Sequence, residues 1–126
     1  MPYEIKYIEL KTGYNDNGPA WIGYVKTSKT GTTIYFNDHA FQKWNCGNGN
    51  YIDVEKTDQV YWISGVKKNG QDRHWAGNGK IIIDRKVIPY YLQLIGQEQL
   101  DLSRFIIEDI DDAFPVERIE ARLNKQ

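Results

Sequence analysis

Ala20-Trp21-Ile22-Gly23-Tyr24-Val25-Lys26-Thr27-Ser28-Lys29-Thr30-Gly31-Thr32-Thr33-Ile34-Tyr35-Phe36-Asn37 is the stretch whose reading decides the fold. Residues 20–26 and 32–37 are rich in β-branched and aromatic side chains, which fit a pleated, half-buried surface. Between them Ser28-Lys29-Thr30-Gly31 has the composition of a turn, and Gly31 can supply a positive φ. Two extended runs joined by so short a polar segment predict an antiparallel hairpin.

The period of two continues on the N-terminal side. Tyr3, Ile5 and Tyr7 alternate with Glu4 and Lys6, the pattern of a half-buried strand over residues 3–10. Asn15-Asp16-Asn17-Gly18-Pro19 is a dense turn signal that ends it. On the other side the pattern breaks. Within residues 38–44, Ala40, Phe41 and Trp44 share a side at helical spacing and predict one helical turn. A loop over residues 45–50 follows. Residues 51–54, 60–66 and 81–83 read as strands, with a polar turn at 55–59 and a Gly- and Lys-rich loop over 67–79.

Beyond residue 84 the periodicity becomes helical. Asp84 is placed to cap, Pro89 suits a first turn, and Tyr90, Tyr91, Leu94 and Ile95 recur at helical spacing before Gly96 stops the run. Residues 103–110 read as a late strand. The run 111–115 opens a last helix, with Val116, Ile119 and Leu123 on one face. This order predicts one domain over residues 1–126: a β-rich core at 3–84 and a helical and strand extension at 85–126. The class is mainly β (α+β). A small SH3-like or OB-like barrel, or a bent antiparallel sheet with C-terminal helices, fits about six short strands in so short a core. The last third is expected to close one end or cover one face.

With 40% hydrophobic and 26% charged residues, the chain has the composition of a globular domain, which excludes disorder over its length. Net charge is −1, so nothing pulls the whole chain toward nucleic acid or acidic membranes. The sum conceals two blocks. Residues 56–86 hold seven Lys/Arg against three Asp/Glu, and residues 98–126 hold four against eight. The single cysteine, Cys46, excludes an intramolecular disulfide. No signal-like core and no run of membrane-spanning length is read, so the expected location is cytoplasmic.

The segment richest in chemistry is Tyr61-Trp62-Ile63-Ser64-Gly65-Val66-Lys67-Lys68-Asn69-Gly70-Gln71-Asp72-Arg73-His74-Trp75-Ala76-Gly77. Its loop gathers Lys67, Lys68, Arg73, His74 and Trp75. Cations beside a flat ring suit nucleic acid, the charge meeting phosphate while the ring stacks on a base, and His74 adds pH sensitivity. The plain reading of the same loop is a solvated hairpin whose Trp75 folds back onto the core. Ala20-Trp21-Ile22-Gly23, Ser28-Lys29-Thr30-Gly31, Ile34-Tyr35-Phe36-Asn37 and the 61–77 segment together resemble a family of short bacterial proteins that carry the label 1-deoxy-D-xylulose-5-phosphate synthase. The resemblance runs over about residues 5–95 and implies no activity. A true synthase of that name is several times longer and has a Gly-Asp-Gly signature for its thiamine cofactor, which this sequence lacks. Residues 38–50 depart from the Lys- and Gly-rich stretch usual in that family.

Catalytic signals are thin. His39, Cys46 and Asp38 or Asp53 are the residue types of a thiol hydrolase, and His74 with Asp72 has those of a base and its orienter, but neither spacing is a recognised arrangement. Two scattered His and one Cys do not make a zinc site. Glu108-Asp109-Ile110-Asp111-Asp112 lacks EF-hand spacing and reads as the acidic lead-in to a helix. The sequence thus predicts a non-enzymatic binding module, without cofactor, metal or membrane, that meets nucleic acid or a protein partner through residues 67–75. The alternative is a small hydrolase or transferase using His74 or His39 with Cys46.

Overall fold

The computed structural model describes residues 3–11, 19–44, 49–68, 80–111 and 113–123. Its strands are β1 (Tyr3–Lys11), β2 (Ala20–Thr27), β3 (Thr33–Phe36), β4 (His39–Lys43), β5 (Tyr51–Asp53), β6 (Val60–Gly65), β7 (Ile81–Asp84) and β8 (Phe105–Glu108). A 3-10 turn at Arg85–Val87 leads into helix α1 (Ile88–Ile95), and helix α2 (Val116–Leu123) follows β8. The turns expected within 12–18, 45–48 and 69–79 lie outside the described residues.

Strands β1 to β6 each pair antiparallel with their neighbour in sequence, and β6 returns to β1 from Lys6↔Gly65 to Lys11↔Val60. The first six strands therefore close into a barrel with a plain meander order, and closure removes the unpaired edges of an open sheet. The mainly β architecture read from the sequence is the one observed. Its founding hairpin is there too: Lys26 faces Tyr35, Thr27 faces Ile34, Ser28 N donates to Thr33 O at 2.9 Å, and Gly31 has φ 76°.

The helical turn expected over 38–44 is instead strand β4. Asn37 and Asp38 take φ values of 47° and 65°, a two-residue turn that Asn and Asp tolerate and whose twist suits a hairpin. Beyond it His39 and Phe41 point to the barrel side and Ala40 to the outside, so the spacing that mimicked a helix is alternation on a pleat.

β2 has two partners on one edge. β3 takes its C-terminal end, while β7 runs parallel to its N-terminal end, pairing Trp21↔Ile82 and Ile22↔Ile83. β8 extends this parallel sheet, with α1 as the crossover that parallel strands require. Ile110, just past β8, joins the apolar cluster inside the barrel with Ile8, Val25, Phe36, Phe41 and Ile63. Outside, α1 buries Tyr91 against Tyr7, Ile22, Ile83 and Phe105, and α2 buries Ile119 against Tyr35 and Ala40. β1 is consequently covered on both faces over Tyr7, Ile8 and Glu9, where the sequence pattern predicts a half-buried strand. The C-terminal third thus covers outer faces of the barrel and adds Ile110 to its interior cluster.

Arg118 fastens α2 at its exposed rim. Its guanidinium donates to Asp38 Oδ1 and Asp38 O, both at 3.0 Å, and to Glu55 Oε2 and Oε1 at 3.1 and 2.9 Å. The helix is thereby tied to the β3–β4 turn and to the connection after β5 at once.

Candidate functional site

On β6 the core residues Tyr61 and Ile63 alternate with Trp62, which therefore stands outside the barrel and is 39% exposed. The register carries a row of residues across the strands at this level. Trp62 faces Glu9 on β1, and the pairing Tyr51↔Tyr61 places Asn50 beside Trp62 on the opposite flank. Trp44 N donates to Asn50 O at 3.0 Å, so Trp44 continues the row on the β4 side, 45% exposed. Asn50 spends its amide on the β6 backbone, accepting from Ile63 N and donating to Ile63 O at 2.8 Å each. Two indoles thus stand on one face with a single strand between them, roughly 10 Å apart by interstrand spacing. Indoles on a wet face are sequence-tolerant surfaces for stacking.

Lys43 is exposed and precedes Trp44, but the alternation of β4 turns it to the opposite face; Lys67 and Lys68 are exposed beyond the end of β6, five and six residues along the chain from Trp62. Lys11 is held to the buried Glu9, its Nζ 3.0 Å from Glu9 Oε2, while the Tyr7 hydroxyl donates to Oε1. Of the five residues expected to form the basic-aromatic site, Lys67 and Lys68 are described and are exposed. Arg73, His74 and Trp75 lie outside the described residues. So does Cys46.

A second constellation sits where the β3–β4 turn meets β5. His39 Nδ1 is 3.2 Å from Asp53 Oδ2, and Asp53 Oδ1 accepts from the amides of Glu55 and Lys56 at 2.9 and 3.2 Å. Burial pushes the Asp53 carboxyl up, but the hydrogen bonds from His39 and the two amides outweigh it and hold the group below its ordinary value. A carboxylate at Nδ1 keeps the proton on that nitrogen and leaves Nε2 as the basic one in the neutral ring. The His39 ring lies along Phe41, centroids 6.1 Å apart, and is half-buried. Behind it a cavity of about 30 Å³, room for a water molecule, reaches Trp21, Phe36 and Tyr61. Tyr61 itself is pushed up to about 12 by burial and by the Asp53 charge, so it remains a neutral phenol.

Of the alternative partners named for His39, the fold brings Asp53 to it and gives Asp38 to Arg118. Within the acidic run, Asp109 pairs with Arg85 at 3.0 Å and Ile110 is in the barrel core, while Asp112 lies outside the described residues. Among the described residues no group of three His, Cys, Asp or Glu is arranged to hold a metal, and no described helix is long and apolar enough to cross a membrane. The row Trp44–Asn50–Trp62–Glu9 escapes sequence reading because it crosses three separate strand pairings. No protein-family model, curated protein or solved structure matches the chain.

Proposed function

We propose that this protein is a non-enzymatic binding module that takes single-stranded nucleic acid across the outer face of β4–β6. The observation that supports this reading is the pair of exposed indoles, Trp44 and Trp62, on the outer face of neighbouring strands, with exposed Lys67 and Lys68 farther along the chain that leaves β6. Bases stack on the indoles while the ammonium groups meet phosphate, and neither interaction asks for a particular sequence. Duplex is disfavoured, since its bases are already stacked and its backbone presents no ring to Trp62. Arg73, His74 and Trp75 follow Lys68 in the chain and extend the same chemistry.

Fluorescence anisotropy with labelled single-stranded and duplex oligonucleotides, at low and near-physiological salt, tests it. Single strands bind and duplex binds less. Trp62→Ala weakens binding about tenfold or more, the value of one stacked base at roughly 1–3 kcal/mol. Lys67→Ala/Lys68→Ala lowers the salt slope by about 1.4, two phosphate contacts on a single strand. Absence of binding at low salt, or binding that neither variant weakens, refutes the reading and turns attention to a protein partner.

The His39–Asp53 contact favours a second reading, a small hydrolase in which Nε2 of His39 takes the proton of an attacking water. Turnover of activated esters that disappears in His39→Ala, with folding intact, supports it. Equal rates in parent and variant dismiss it.

A further inference from the structure

An antiparallel barrel delivers its connections alternately to its two ends, and the described charges divide with them. The end that holds the β3–β4 turn and the β5–β6 connection carries Asp38, Asp53 and Glu55, tied to Arg118 and His39. The other end holds the β2–β3 turn and the last residues of β4, and there Lys29 and Lys43 are exposed. Neither lysine meets an acid among the described residues. Glu4, the acid at this end of β1, is engaged by Lys6 at 3.4 Å.

An open groove of about 530 Å³ lies on this basic rim, lined by Thr30, Gly31, Thr32, Gln42 and Lys43. The register that pairs Thr33 with Gln42 brings Thr32 opposite Lys43, so a hydroxyl and an ammonium group stand on facing walls. Gln42 Nε2 donates to Thr33 Oγ1 at 3.2 Å and ties those walls together. The turn has the build of an anion seat. Gly31 N donates to Ser28 O at 2.9 Å and Gly31 takes φ 76°; a turn that ends in a left-handed residue bunches successive N–H groups on one side. The amides of Thr30 and Thr32, on either side of Gly31, have no acceptor among the described residues. Thr30 Oγ1 lies 2.9 Å from Thr32 Oγ1 and 3.5 Å from Ser28 Oγ, a row of hydroxyls that can turn its donors outward at Thr32.

We propose that this groove is a phosphate site, in which Lys43 supplies the charge and the Thr30–Thr32 turn supplies hydroxyl and amide donors. Donors on two walls suit the several oxygens of a tetrahedral anion, where a planar carboxylate would use only one pair of them. No acid lines the groove, so a bound phosphate meets no like charge among the described residues. The choice of a nucleic-acid phosphate rests on the reading of Trp44 and Trp62 as stacking surfaces. Trp44 follows Lys43 directly, about 3.8 Å away at Cα, and the pleat turns the two side chains to opposite faces at the rim. A single strand crossing the rim therefore lays one phosphate in the groove and the adjoining base on the Trp44 indole. A free phosphorylated molecule presents the same group, and the experiment separates the two sources.

Inorganic phosphate, titrated into isotope-labelled protein and followed by NMR, shifts the Thr30, Gly31 and Thr32 amide resonances saturably in the millimolar range. Lys43→Ala, with its remaining resonances in place, weakens this binding at least about tenfold. With a labelled single-stranded oligonucleotide in the anisotropy assay, Lys43→Ala lowers the salt slope by about 0.7, one phosphate contact on a single strand. Thr32→Val weakens the same binding several-fold and leaves the slope unchanged, since it removes a donor without a charge. Lys56→Ala, exposed at the opposite end of the barrel, changes neither. Oligonucleotide binding that Lys43→Ala and Thr32→Val leave as in the parent overturns the proposal while the Trp44–Trp62 reading stands. An equal loss of slope in Lys56→Ala also overturns it, because charge then acts without a site. Phosphate shifts that Lys43→Ala abolishes, in a protein that binds no oligonucleotide, support the groove as a seat for free phosphorylated molecules and refute the nucleic-acid reading.

Discussion

Removing the Asp53 carboxylate should be among the most damaging polar substitutions in this protein, and its cost should depend on pH with a definite sign. The side chain is 1% exposed and holds three partners: the amides of Glu55 and Lys56 on one oxygen and His39 Nδ1 on the other. Hydrogen bonds to a charged group contribute about 1.5–3 kcal/mol each where buried, and less where water reaches the donor. Asp53→Ala strands two amides and a ring nitrogen at once, so roughly 3–5 kcal/mol should be lost. That is a large share of the 5–15 kcal/mol typical of a domain. Asp53→Asn keeps an acceptor for the two amides and loses only the charge facing His39, so about 1–2 kcal/mol is expected.

The carboxyl is held below its ordinary value in the folded state. Its contribution is therefore fully present above the unfolded value of about 3.9 and is lost as pH falls through the lower folded one. Urea titrations of parent and Asp53→Asn, from neutrality downward, should show a stability gap that holds to about pH 5 and shrinks below about pH 4. A gap that stays constant or widens in acid would refute the assignment of Asp53 as an ionised acceptor.

Three further outcomes follow from packing. A Cβ on Gly49 would stand 2.2 Å from Val60 Cγ1 and 2.7 Å from Tyr61 O, so Gly49→Ala should cost about 1–3 kcal/mol and lower the urea midpoint. Ile119→Ala empties the one fully buried position of α2 and should cost roughly 2–4 kcal/mol, with a lowered thermal midpoint and faster proteolysis of the C-terminal segment. Arg118→Ala should lower the melting temperature less than Ile119→Ala does, and Arg118→Lys should recover little of it, since one ammonium cannot span Asp38 and Glu55 together. Equal melting temperatures for Arg118→Lys and the parent would show that charge alone, without the fork, suffices.

What the sequence disclosed was local. The β2–β3 hairpin, the strand at Val60–Gly65 and the helix ending at Gly96 each announce themselves by composition and period within a dozen residues. The misread segment, His39–Lys43, is informative: over five residues the side shared by Ala40, Phe41 and Trp44 in a helix cannot be told from a strand that follows a tight Asn-Asp turn. Long-range features had no such signature. The return of β6 to β1 and the parallel seating of β7 on β2 join residues far apart in the chain. The candidate site shares this limit. Lys67 and Lys68 were legible as a basic pair, and Trp62 as one aromatic among many, but their joint exposure with Trp44 depends on which face α2 covers. His39 and Asp53 meet only because β4 and β5 are neighbours.

The two-sided partnership of β1 sets an order of events during synthesis. β1 can pair with β2 as soon as Thr27 has emerged, but its other edge stays bare until the chain has been made through Gly65. Over that interval the nascent hairpin presents a strand with unpaired backbone groups, the kind of template on which neighbouring chains add. The closing step must also bring together segments far apart in sequence, which slows it relative to the local hairpins. Aggregation during expression should therefore track the lifetime of this half-made barrel. Slower translation between β2 and β6 should lower the soluble yield without any change in the stability of the finished protein.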